Sequence, residues 1–78
     1  MTMQFEMTDL FGGEANYSWV KRETVTFGEE LSNRQIVRRA KAWAGWTGRV
    51  CRTENYGDMI KIDATPSGLL NVLFVTFE

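Results

Sequence analysis

The side chains best spaced to act together are Arg34, Arg38 and Lys41, which follow one another at intervals of four and three residues. On a helix those intervals put side chains on one face. The three therefore form a positive stripe able to hold phosphate or carboxylate oxygens through charge-assisted hydrogen bonds. Arg39 falls on a flank of the same helix near Trp46, which lies off the apolar stripe and is the candidate aromatic anchor of an interface. Arg49 and Arg52 would lengthen the stripe if the next strand returned beside it, and Trp46 or Tyr56 would then offer a base-stacking surface.

Catalytic chemistry has less to work with. The chain has no His, which removes the commonest general base at neutral pH and the commonest metal ligand. One Cys and no His rule out the usual structural zinc sets within one chain, and also Cys-His and Ser-His-Asp arrangements. Cys51 reads as a small strand residue, although Arg49 and Arg52 beside it would favour a thiolate. Gly12-Gly13 and Gly57 lack the spacing and the lysine of a phosphate loop. Glu29-Glu30 sit just before a helix start, where negative charge is favoured electrostatically. Asp9 and Glu14 flank the glycine pair without the further oxygen ligands a hard cation needs. No cofactor and no metal site is expected.

The scaffold that must position these groups is short. Its 78 residues allow one domain and one core; 44% are apolar, with five Phe, three Trp and two Tyr, a composition that favours folding over disorder. Nine Lys and Arg against ten Asp and Glu give a formal charge of −1, unlike a domain whose whole surface tracks a polyanion. A lone cysteine suits a reducing compartment. The first residues lack the basic and apolar regions of a signal peptide, and no run is long enough to span a bilayer. The expected location is cytoplasmic, with no membrane association.

Met3, Phe5 and Met7 alternate with polar residues, the period of a half-buried strand; Leu10 and Phe11 extend it or pack as a loop before Gly12-Gly13 breaks regular structure. Glu14-Ala15-Asn16 continue as turn. Tyr17 to Phe27 is rich in aromatic and β-branched residues, yet Lys21 and Glu23 interrupt its apolar parity. That interruption predicts a strongly bent strand or a bulge. Ser32 followed by Gln35 is a capping box, and Leu31 and Ile36 can staple the helix entry. The helix runs to about Ala44, with Gly45 or Gly48 ending it. Its buried stripe is Ile36, Val37, Ala40, Trp43 and Ala44. Trp19 is expected to be half-buried on the sheet.

Arg49 to Glu54 and Met59 to Ala64 form a hairpin around Asn55-Tyr56-Gly57-Asp58, and Thr65-Pro66-Ser67-Gly68 turns the chain again. The last strand, Leu69 to Phe77, is apolar on both parities and so should be central, covered on both faces or lining an interface. The fold class is α+β, an antiparallel sheet of four to five strands with one packed helix in the order β-β-α-β-β-β. The functional expectation is a small non-enzymatic protein-binding or regulatory module with an unidentified protein partner. A nucleic-acid-binding protein using the basic helix face is the alternative, and a small carboxylate-dependent enzyme a third. A homodimer through the last strand would give its second face a cover.

Overall fold

A computed structural model describes all 78 residues. Five strands and one helix follow the expected order: β1 (Thr2–Phe11), β2 (Glu14–Thr26), α1 (Asn33–Ala44), β3 (Arg52–Asn55), β4 (Met59–Asp63) and β5 (Asn71–Phe77), with a 3₁₀ turn at Thr65–Ser67 before β5. The strands make one antiparallel sheet in the order β2-β1-β5-β4-β3. The two-sided apolar strand β5 is indeed central. Both of its edges are hydrogen-bonded, to β1 and β4, so only its side chains remain to meet anything else.

The helix starts where the capping box places it. Ser32 accepts from the Gln35 backbone N–H while the Gln35 side chain accepts from the Ser32 N–H. Leu31 and Ile36, the two staple positions, are both buried in the core. At the other end Gly45 takes the left-handed conformation that glycine tolerates best. Its N–H donates to the Ala42 carbonyl and the Trp46 N–H donates to the Lys41 carbonyl, the paired bonds of a Schellman termination.

One face of the sheet carries the core. Met3 and Phe5 from β1, Ile60 and Ile62 from β4, and Leu73 and Val75 from β5 are buried with Ile36, Ala40 and Trp46. Lys21 and Glu23, which break the apolar parity of β2, lie in register with Met7 and Phe5 and so belong to this same face. They stay there because they meet the helix edge. The Trp43 indole N–H donates to Glu23 Oε1 at 3.2 Å, and Lys21 Nζ stands 4.6 Å from the Trp43 ring centroid. The Trp43 ring packs at a tilt on Phe5, 5.5 Å between centroids. Trp43 is therefore inward-facing but sits at the rim of the core, half-buried.

β2 is irregular near its start and not at Lys21 and Glu23, where its pairing with β1 is unbroken. Gly12 and Gly13 both have positive φ, as a two-residue hairpin of the primed type requires, and Phe11 pairs directly with Glu14. Glu14-Ala15-Asn16 thus open β2 instead of prolonging a turn. Thr8 then opposes Val20 while Leu10 opposes Ala15, so residues 16–19 of β2 stand against Asp9 alone.

Asp9 holds this bulge together. Its carboxylate accepts from the Ser18 backbone N–H, the Ser18 hydroxyl at 2.6 Å and the Asn16 amide at 2.9 Å. Thr8, fully buried, accepts from the Tyr17 N–H and donates to the Trp19 carbonyl. Tyr17 is the only non-glycine residue at positive φ (55°), and its hydroxyl donates to Glu6. Trp19, on the bulge, is more exposed than its apolar parity suggests.

The hydrogen bonds from Ser18 and Asn16 hold the Asp9 carboxyl at about 2, below its ordinary 3.8. A carboxyl lowered on folding contributes stability above its unfolded value and loses it as pH falls towards the folded value. Asp9→Ala should therefore melt below the wild type at pH 6, with the gap closing between about pH 4 and pH 2. Thermal melts at a series of pH values measure it, and a gap that stays constant would contradict this role for Asp9.

Candidate functional site

With 12 residues, α1 covers only part of its face of the sheet. Trp43 ties one flank of the helix to β2, and the opposite flank borders an open groove. Near the helix start the groove is a depression of about 280 Å³ bounded by Asn33, Arg34 and Val37 of α1, Thr53 and Asn55 of β3, and Ile60 of β4. Along the helix it continues into a second depression of about 490 Å³, which shares Arg34 and Val37 and reaches Arg38, Lys41 and the loop residues Thr47 and Gly48. Val37 and Ile60 give this groove an apolar floor, and the helix gives it a positive rim.

The basic side chains separate into two groups. Arg34 and Arg38 are exposed and make no hydrogen bond or ion pair within the chain. The others are engaged within the chain or point away from the groove. Lys41 Nζ donates to the Arg49 carbonyl, which leaves it half-buried on the groove wall instead of free in water. Arg49 in turn donates to the Ser67 carbonyl and hydroxyl, fastening the loop after the helix to the 3₁₀ turn. Arg39 lies 5.3 Å from the Phe27 ring centroid, on the other flank of the helix, and takes no part in the groove. Arg52 is paired in register with Asp63, whose neighbours on that parity are Lys61 and Met59, so it points away from the helix. The stripe is therefore not extended by Arg39, Arg49 or Arg52.

Trp46 is the main correction. It is only 3% exposed and belongs to the core cluster, so it is no interface anchor. Gly45 is left-handed, which ends the helical rotation before Trp46 and turns its side chain back. In a Schellman termination the residue after the glycine packs on the last helical turns; here Trp46 joins Ala40 in the core. Tyr56, the other proposed stacking residue, is exposed, but its hydroxyl donates to Glu54 and it does not line the groove.

The sequence reading missed the second wall. Thr53 and Asn55 share the parity that faces the helix, in register with Ile62 and Ile60. Polar residues at core parity on the last-paired strand are the signal that the helix stops short of that edge.

Chemically, the groove offers two free guanidinium groups, an apolar floor and the outer edge of β3. The two guanidinium groups can each grip a carboxylate in a bidentate manner. No group of three or more His, Cys, Asp or Glu comes together as a metal site. Burial pushes the Cys51 thiol up, outweighing the nearby Lys41 and Arg49, and the thiol donates to the Arg49 carbonyl. No helix is long and apolar enough to cross a membrane. Comparison with protein-family models, curated proteins and solved structures finds no match.

Removing the buried Trp46 should act on stability. Trp46→Ala is expected to cost about 3–5 kcal/mol, the range for emptying an aromatic core position, read from urea unfolding. A cost below about 1 kcal/mol, as for a surface residue, would return Trp46 to the surface.

Proposed function

We propose that the chain is a small, non-enzymatic protein-binding module that receives an acidic, extended segment of a partner in the groove between α1 and β3. The observation that carries this reading is the pair Arg34 and Arg38. They stand one helical turn apart over an apolar floor, and no acceptor in the chain satisfies them. The cations Arg22, Lys41 and Arg49, by contrast, each have a hydrogen-bonding partner within the chain.

The β3 edge supports an extended partner. Tyr56 N–H donates to the Met59 carbonyl, and antiparallel pairs alternate between bonded and non-bonded. Counting back along the ladder, Thr53 and Asn55 direct their backbone groups outwards. A segment added alongside β3 would pair with those groups, and its alternate side chains would enter the groove beneath Arg34 and Arg38. Acidic residues there match the rim, and an apolar residue matches Val37 and Ile60.

A nucleic acid is the less favoured ligand, because no aromatic side chain lines the groove to stack on a base. The near-balanced charge of the chain also suits a local acidic motif better than a polyanion. The lone Cys51 fits a reducing, cytoplasmic setting for such a module.

Selection from a random-peptide display library tests the proposal. The wild type should enrich peptides carrying two or more acidic residues in an extended stretch. Arg34→Gln with Arg38→Gln should weaken binding of those peptides by about tenfold or more with an unchanged melting temperature. Failure to enrich acidic peptides, or equal binding by the double variant, would overturn the reading. Tight, steeply salt-dependent binding of single-stranded RNA or DNA would replace it with the nucleic-acid alternative.

A further inference from the structure

The face of the sheet turned away from α1 has no covering element. Val72, Phe74 and Thr76 of β5 point to it, as do Gln4, Glu6 and Thr8 of β1 and Met59, Lys61 and Asp63 of β4. None of these residues takes part in the core cluster or packs against it. The bulge of β2 rises over one end of this face, where Thr8 and Val72 are fully buried. The rest is open, with Phe74 and Met59 half-buried and Val20 exposed.

One row of side chains crosses all five strands on this face. In register, Arg22 of β2 stands beside Glu6 of β1, then Phe74 of β5, Lys61 of β4 and Glu54 of β3. The row reads positive, negative, aromatic, positive, negative. It is antisymmetric in charge about its central Phe74. A second sheet turned over about an axis parallel to the strands through Phe74 presents the same row in reverse. Arg22 then meets Glu54 of the other copy, Glu6 meets Lys61, and Phe74 meets its own counterpart. The adjoining row Thr24-Gln4-Thr76-Met59 sets no like charges opposite each other under the same rotation; in the row on the other side Thr8 and Val72 are fully buried, and Val20, Asp63 and Arg52 add no like-charge pair. An axis across the strands through this row would instead put each charge against itself.

We propose that the uncovered sheet face binds a second copy of the chain, with the two-fold axis running along β5 at Phe74. Aligned stacking of two sheets about 10 Å apart is the ordinary way such faces are buried, and a two-fold interface has to be self-complementary in this sense. Five strands about 4.8 Å apart and some five residues long give a footprint of roughly 400–500 Å² on each copy. That is at the small end for specific interfaces, so the association is reversible. Lys61 has no hydrogen bond or ion pair within its own chain and gains one in the dimer. Glu6 already holds Arg22 at 2.5 Å and the Tyr17 hydroxyl at 2.9 Å, which fixes its carboxylate and leaves its side chain 16% exposed on the side where Lys61 of the other copy arrives. This dimer leaves the groove beside α1 free and does not depend on its function.

Sedimentation equilibrium of the full chain, up to roughly 1 mM, tests the proposal with two charge-reversed variants. The wild type should show a concentration-dependent dimer. Lys61→Glu alone and Glu6→Lys alone should each dimerise about tenfold or more weakly, because each sets like charges face to face twice. An equimolar mixture of the two restores both attractions and should recover the dimer, which loss of folding would not do. Circular dichroism confirms that each variant is folded. Should Glu6→Lys unfold for want of its Arg22 and Tyr17 contacts, Arg22→Glu mixed with Glu54→Lys puts the same question to the outer pair. A wild type that stays monomeric, single variants that dimerise as well as the wild type, or a mixture that stays monomeric would overturn the proposal.

Discussion

An α-helix with its side chains is about 10–12 Å across, whereas five strands spaced about 4.8 Å apart make a sheet roughly 20 Å wide. A chain of 78 residues with only one helix cannot close that difference. The helix comes nearest to the central strand β5, and Trp43 reaches from it over one flank. The indole packs at a tilt on Phe5, donates to Glu23 and lies under Lys21, which closes the flank on the side of β1 and β2 and leaves the β3 side open. The groove beside β3 follows from this mismatch of widths, and the open far face from there being one helix for two faces.

The same constraint explains why polar residues sit where a periodic reading expects apolar ones. Lys21 and Glu23 occupy core parity on β2 because they lie at the rim of the helix footprint, where an indole edge and a carbonyl can satisfy them. Thr53 and Asn55 occupy core parity on β3 because the helix never reaches them. In both strands the break in alternation marks the limit of cover.

Much of the architecture was legible in the residues. Ser32 and Gln35 located the helix start to the residue, since a capping box is a local device that tertiary contacts reinforce and do not redirect. The two-sided apolar run of β5 announced a central strand. The bend or bulge that Lys21 and Glu23 suggest is not there: β2 pairs with β1 without interruption from Val20 to Thr26, and its irregularity lies at residues 16–19. What was not legible required knowing where rotation stops or what lies across space. A helical wheel continued through Gly45 puts Trp46 off the apolar stripe, whereas a left-handed glycine ends the wheel and a Schellman turn carries the next apolar residue inwards. Asp9 looked like a loop carboxylate beside two glycines, and nothing local shows that four residues of β2 would gather against it. Of the residues read as one basic face, Arg34 and Arg38 line the groove, Arg39 and Trp46 lie elsewhere, and Lys41 is tied to the loop. Helical spacing reports which side chains share a face, and leaves open which of them the rest of the chain will occupy.

Side-chain proximities in solution report the uneven cover that α1 gives the sheet. Nuclear Overhauser contacts from the Trp43 indole should reach the Phe5 ring and the Lys21 methylenes, while Thr53 and Asn55 side chains should show none to Trp43 or Ala44. Contacts from Trp43 to Thr53 or Asn55 would place the helix over β3, fill the groove and contradict the account.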